Sequence, residues 1–534
     1  MTGAKIINFR PVAFAAVFLC LGIFSAVAVC FYELPVWILS LAFPFLALFY
    51  KGKRKNAFLA LSVLFIAYWV GFGLAFHKIT AFQNANQYVG EEYQVSGSVD
   101  FKTKTDYGYT LVLSDIKIGG KAEEGKVFAY LPASFSEKLS ENNRVMLKGS
   151  LETSEAVSTF DSNLWHWLCE DIRYVLKAEE CVVMERPFSL FVFIRERIES
   201  VLYAGMDETP AGLTMAVLTG NTDGIERGLL DNMRRGGIAH VFAVSGLHIG
   251  ALFAFVLLLI HKTPLRKLSK LVRFAFATAL LLFYGGVCGF SASITRAITL
   301  CLCFYACKLI GLGRDSLEVL GLSAIAVLVF RPLALFEVGF RLSFSACLGI
   351  MLLARPIERL CYQIVDRKIA SLPPVEQDMQ PPTVKGRVKR ACISFLSVSL
   401  SAQIATAPIS LAYFGYLSYI SLFLNFLFVP LISVCFSALL SIACIASVFP
   451  IAWSGAILYA PSVAWSAVVL LFQTVDFSVF CIEGLAVPIS ALIAYFLGLS
   501  FLSDKWNFSK RMRYACALAC FLIAFCCIFN LNVL

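Results

Sequence analysis

Residues 234–250 read Arg234-Arg-Gly-Gly-Ile-Ala-His-Val-Phe-Ala-Val-Ser-Gly-Leu-His-Ile-Gly250. The run sets His240, Ser245 and His248 inside an apolar segment that also carries four glycines. Ser245 and His248 are three residues apart and share a helix face. His240 lies eight residues before His248, on nearly the same side. Ionisable groups are costly in hydrocarbon and face a cavity or a partner when they occur there. The stretch therefore reads as a spanning helix that carries polar groups at depth.

The surrounding chain agrees. Its 534 residues are 59% hydrophobic and 15% charged, with a mean hydropathy of +0.78, where a soluble domain is nearer half apolar and a quarter charged. The apolar residues fall in blocks of about 20, the length that crosses a ~30 Å hydrocarbon core. A soluble enzyme, a disulfide scaffold and a disordered regulator are excluded. The expected fold is a polytopic α-helical membrane protein of eleven to twelve spans, with a small extracytoplasmic β-barrel inserted.

Three spans are expected within residues 1–80, at 11–32, 34–50 and 57–76. The first is read as a retained anchor, because its apolar run outlasts a signal-peptide core. Lys5, Arg10 and the run Lys51-Gly-Lys-Arg-Lys55 place the N-terminus in the cytoplasm and the next segment outside it. That segment, residues 81–186, is acidic: 17 Asp and Glu stand against 10 Lys and Arg between residues 82 and 185. Its period changes to short β-branched and aromatic runs at 93–101, 107–116, 126–131, 144–151 and 174–183, with a helical stretch near 163–171. Five such strands suit a barrel of the OB type, with a β-sandwich fragment as the alternative. Tyr107 and Tyr109 project to one face, as do Phe128 and Tyr130. Barrel core is the expected job of such a stripe, with stacking on nucleic-acid bases as the alternative. The segment's net charge of −7 opposes that alternative unless its ten basic residues cluster.

Residues 187–235 read as amphipathic interfacial helices, and residues 236–534 as the main spanning domain. Within it, residues 355–390 form a basic, proline-containing loop expected in the cytoplasm. Of the 18 cysteines, 16 lie in or beside spans, where Cys acts as a small apolar residue. Cys169 and Cys181 fall in the extracytoplasmic segment and are the disulfide candidates.

Further polar groups interrupt the apolar blocks. Arg296 ends Gly285-Gly-Val-Cys-Gly-Phe-Ser-Ala-Ser-Ile-Thr-Arg296. Glu337, Arg341 and Ser343 lie in Leu335-Phe-Glu-Val-Gly-Phe-Arg-Leu-Ser-Phe344, with Glu337 and Arg341 spaced i,i+4 for an internal ion pair. Gln403 opens Gln403-Ile-Ala-Thr-Ala-Pro408, followed by Asn425 and Pro430. Helices broken by such residues are tolerated where they line a water-filled cavity. A lining with Arg296 and Arg341, opposed by Glu337, suits an anion. Hydrolysis is a weaker reading, because Ser245 lacks the strand and the G-x-S-x-G elbow. A metal site is not expected, since H-E-x-x-H and paired C-x-x-C are absent.

The stretch at 236–250 closely resembles the signature of the ComEC family of competence DNA-uptake channel proteins. The resemblance continues through Leu218-Thr-Gly-Asn-Thr-Asp-Gly224, Gly289-Phe-Ser-Ala-Ser-Ile-Thr-Arg-Ala297, Glu337-Val-Gly-Phe-Arg-Leu-Ser-Phe344 and Gln403-Ile-Ala-Thr-Ala-Pro408. It implies a channel in the inner membrane that passes single-stranded DNA to the cytoplasm, with an OB domain outside. By position it implies His240, Ser245, His248, Arg296 and Ser343 as pathway residues, beside Glu337, Arg341 and Gln403 read above. Arg341 stands where the family often has Gln.

Many family members continue into a metallo-β-lactamase-like nuclease. The sequence read here has no H-x-H-x-D-H motif, so a nuclease is expected in a separate protein, if at all. No cofactor is implied. Without a P-loop, motive force is assigned to a cytoplasmic ATPase or helicase or to an ion gradient. The other partners expected are membrane lipid and an extracytoplasmic DNA receptor, with self-association left open. The alternatives are a transporter of another anion and, less favoured, an intramembrane hydrolase using Ser245 and His248.

Overall fold

The computed structural model describes residues 10–32, 54–85, 88, 91–105, 108–132, 139–153, 162–238, 240, 246–311, 315–365, 384–429 and 454–483, with scattered positions between 495 and 520. The expected span at 34–50, together with Tyr107, Ser245 and Pro430, lies outside the described residues.

Helices α1 (Pro11–Tyr32) and α2 (Arg54–Gln83) pack along each other. Their contact depends on absent side chains: a Cβ on Gly22 would lie 1.9 Å from the Tyr68 carbonyl oxygen, and one on Gly71 would lie 2.3 Å from that of Leu19. Small residues let helices approach this closely in lipid, where apolar side chains gain little by leaving the hydrocarbon. The first backbone N–H groups of α1 have no partner within their own helix. Glu318 supplies one, accepting from Val12 N at 2.9 Å and Ala13 N at 3.1 Å, while Arg10 pairs with Asp315.

Between these helices and the rest comes a closed five-stranded barrel. Its strands are β1 (Glu91–Thr105), β2 (Gly108–Ile118), β3 (Lys126–Pro132), β4 (Arg144–Thr153) and β5 (Ile172–Glu185). β1 pairs antiparallel with β2 and β4, β2 with β3, and β4 with β5; a parallel pairing of β3 with β5 closes the ring. Alternation fills the interior with Val95, Val99, Leu111, Leu113, Val127, Ala129, Leu131, Val145, Leu147 and Leu176. Tyr109 packs against this core, as expected. Phe128 and Tyr130 do not, because Val127, Ala129 and Leu131 hold the inner face of β3 and leave the two aromatics outside. There their rings meet at 5.0 Å.

A short helix, α3 (Ser162–Glu170), seats the barrel. Its Leu168 and Cys169 join the apolar cluster formed by α1, α2 and the 324–340 region. Lys78 to Asp171 at 3.7 Å and Arg195 to Glu141 at 2.6 Å tie the barrel down at two further points. The disulfide candidates are not joined. Cys169 faces the helices and donates to the Leu333 carbonyl at 3.1 Å, while Cys181 packs against the barrel core, so the two thiols belong to different clusters.

Past the barrel come α4 (Leu190–Gly205), α5 (Glu208–Thr219) and α6 (Arg227–Arg235). The interfacial reading fails for α5, which is buried from Pro210 to Thr219. Its polar residues mislead: Thr214 and Thr219 turn their hydroxyls back to the carbonyls of Pro210 and Met215, both at 2.9 Å. The remaining helices are α7 (Gly246–Lys262), α8 (Lys270–Val287), α9 (Ala292–Ile310), α10 (Ser316–Phe330), α11 (Val338–Val365), α12 (Val384–Phe414) and α13 (Ser454–Thr474). The expected loop at 355–390 shrinks, because α11 runs on to Val365 and α12 begins at Val384. Among the described residues, six helical segments are long and apolar enough to cross a membrane.

Candidate functional site

Two groups of polar residues form in the helical part. The first surrounds the turn after α6. Gly237 has φ +78°, the left-handed region that glycine enters without strain, and a Cβ there would lie 2.3 Å from the Ser421 Cβ. Ser421 donates to the Ser418 carbonyl at 2.7 Å. From α12, Gln403 donates to Ser421 Oγ and, at 3.3 Å, to the Ser418 carbonyl. The Gly-Gly turn and Gln403 thus meet on one short segment, residues 418–421.

Asn232, on the last turns of α6, pins the same region to the C-terminal side. Its amide donates to the Phe472 carbonyl and, at 2.6 Å, to that of Val475, and its oxygen accepts from Phe477 N at 2.9 Å. His240 Nδ1 lies 3.1 Å from the Gly237 carbonyl oxygen. His248 is fully buried on α7, which packs against α9, the helix that carries Arg296.

The second group is charged and sits beneath the barrel. Glu337 caps the start of α11, Arg331 caps the end of α10, and Arg296 lies in the first turns of α9. Arg331 Nη2 donates to Glu337 Oε1 at 2.8 Å and to Glu170 Oε1, on the barrel's α3, at 2.7 Å. Arg296 Nη1 lies 3.9 Å from Glu337 Oε2, and its Nε has no hydrogen-bond partner among the described residues. A Cβ on Gly339 would lie 3.0 Å from Arg296 Nη2, so the missing side chain leaves the guanidinium its place.

The i,i+4 pair of Glu337 and Arg341 does not form. The Glu337 carboxylate sits at the helix cap, turned toward Arg331 and Arg296, and Arg341 Nη2 donates instead to the Phe336 carbonyl at 2.7 Å. Ser343 is half-buried on α11.

Of the residues expected from sequence, Arg296 and Glu337 are brought together at the barrel side, while Arg341 bonds to the Phe336 carbonyl. Gln403 joins the Gly237 turn instead. Sequence reading missed Arg331, Glu170, Asn232 and Ser421. Arg331 could have been found from its place between an apolar block and Pro332, since a lone charge at such an edge calls for a partner. Glu170 and Asn232 carry no comparable local signal, because their partners lie far along the chain. Among the described residues, no group of three His, Cys, Asp or Glu stands close enough to hold a metal ion.

These features define a multi-pass membrane protein with a closed β-barrel seated on its helices and a buried charged cluster at the seam. The comparisons with known proteins refine that class. A family model described as Competence protein matches residues 217–527, and the chain belongs to this family. A relative, ComE operon protein 3 of Bacillus subtilis (strain 168), is 24% identical over 397 residues, which cover 72% of this chain and 46% of the relative. The chain thus spans about half the length of the curated relative it matches. No solved structure matches.

Proposed function

We propose that the chain forms an inner-membrane channel that passes single-stranded DNA into the cytoplasm during natural competence. The observation that carries this reading is the match to the competence family over residues 217–527, a range that includes Arg296, Glu337, Arg341, Ser343 and Gln403. A buried guanidinium such as Arg296, with one loose carboxylate contact, suits a passing phosphodiester. The N-terminus is cytoplasmic and the barrel extracytoplasmic, in a topology of eleven to twelve spans.

The barrel is of the OB type, which five strands and a short helix support. Its outer face offers a strand-binding platform. Register sets Phe101, Val112 and Phe128 side by side across β1, β2 and β3, with Tyr130 two residues further along β3 and opposite Lys177 on β5. Phe101 and Tyr130 are exposed, and bases stack on such rings without regard to sequence. A DNA receptor outside, an ATPase or helicase inside and a separate nuclease complete the process in this reading.

The test follows labelled DNA into cells that lack the gene. Loss of cytoplasmic single strands is the expected result, and unchanged entry refutes the proposal. Arg296→Ala is expected to lower uptake by about tenfold, equal to 1.4 kcal/mol, at unchanged membrane abundance. Normal uptake in that variant removes Arg296 from the pathway.

A further inference from the structure

Glu337 sits in a cluster of two guanidinium groups, Arg296 and Arg331, and two carboxylates, its own and that of Glu170. Its carboxylate faces two guanidinium groups, and the distances show which one it serves: Arg331 at 2.8 Å, within hydrogen-bond reach, and Arg296 at 3.9 Å, beyond it. A guanidinium as deeply buried as Arg296 would ordinarily draw the nearest carboxylate into a forked, two-bond contact. Arg331 instead engages one oxygen of Glu337, Oε1, and the other, Oε2, stops short of Arg296. Glu170, at the end of the barrel's α3, holds Arg331 from the other side at 2.7 Å. Cys169, the residue before it, is fixed against Leu333 between α10 and α11.

We propose that Arg331 is a positioning residue that keeps Glu337 off Arg296, so that the Arg296 charge stays available to a phosphodiester, and that the seated barrel holds Arg331 in place through Glu170. This rests on the channel reading above and adds to it a residue that touches no DNA. It also makes the barrel part of the pathway's electrostatics. Without Arg331, Glu337 swings to Arg296, closes a two-bond ion pair and neutralises the group that receives phosphate.

The experiment measures uptake of labelled DNA in cells carrying the full-length chain, with membrane abundance followed by immunoblot. R331Q is expected to lower uptake by about tenfold. In the double variant R331Q/E337Q the carboxylate that would capture Arg296 is gone, and uptake is expected to recover at least fivefold over R331Q. A merely structural role predicts the opposite, since removing a second polar partner would deepen the defect. E170Q is expected to lower uptake by a smaller factor and to raise labelling of Cys169 by a membrane-impermeant maleimide, read at the Cys169 peptide.

Should R331Q fail to accumulate, R331K takes its place. It keeps the charge without the fork that reaches two carboxylates, and its defect is again expected to be relieved by E337Q. A double variant no better than the single one overturns the proposal while leaving the channel reading intact, provided Arg296→Ala remains defective. Normal uptake in Arg296→Ala also overturns the proposal, whereas the channel reading falls only if cells lacking the gene still take up DNA.

Discussion

The barrel and the helices place their charges differently. In the barrel, ion pairs are frequent and wet: Lys148 and Glu92 meet at 3.3 Å with side chains 46% and 61% exposed, and Arg144–Glu185 and Lys177–Glu152 are similar. Beneath it, Arg296 and Glu337 are 7% and 15% exposed. An exposed pair contributes about 0–1 kcal/mol, because water already satisfies both partners. At membrane depth the alternative to a partner is an unpaired charge in hydrocarbon. The same residue types therefore decorate one region and determine the structure of the other. Arg173 is an intermediate case, buried in the barrel wall and held by Asp171 at 2.9 Å.

The comparison can be broken most severely at the helix contacts. Gly71→Val is expected to abolish membrane accumulation, because its Cβ would overlap the Leu19 backbone, while Gly73→Ala, in open space two residues on, accumulates normally. Equal immunoblot levels for the two would contradict close packing of α1 on α2. Asn232→Ala removes three hydrogen bonds that hold residues 472–477 and is expected to cost about 2 kcal/mol. A several-degree fall in the melting temperature of the detergent-solubilised chain checks it.

Within the barrel, burial and the nearby Glu123 carboxylate raise the Tyr88 hydroxyl from 10.0 to about 12, and Tyr174 shifts as far for the same reasons. Their contribution to barrel stability is intact below pH 10 and is lost as pH rises toward 12. Absorbance of tyrosinate should show both groups titrating late, and ordinary titration near pH 10 would contradict the half-buried Tyr88–Glu123 contact. The smallest effect is expected for Lys148→Ala, which should leave the melting temperature unchanged. A clear fall would mean that the exposed pairs support the barrel after all.

Much of the fold was legible in sequence because lipid imposes a length and strands impose an alternation. The expected span at 11–32 coincides with α1, and all five strands fall where the β-branched and aromatic runs lie. Legibility failed where a polar side chain satisfies itself locally, as Thr214 and Thr219 do on α5, or where the partner is distant in sequence. The i,i+4 spacing of Glu337 and Arg341 suggested a local pair, yet the carboxylate bonds to Arg331, six residues earlier, and lies 3.9 Å from Arg296. Phe128 and Tyr130 were misread for a simpler reason: an aromatic stripe does not say which side of a sheet faces in. Small aliphatic residues between them decided it.

The reach of Asn232 also sets an order in time. The carbonyl of Phe472 that it holds is synthesised 240 residues later. At about 5–20 residues per second, the ribosome delivers that partner roughly 12–50 s after Asn232 itself. Until then α6 and the glycine turn beyond it have no C-terminal anchor, so the most recognisable stretch of the chain is among the last to settle. A nascent chain stalled in this interval would present that stretch to the insertion and quality-control machinery.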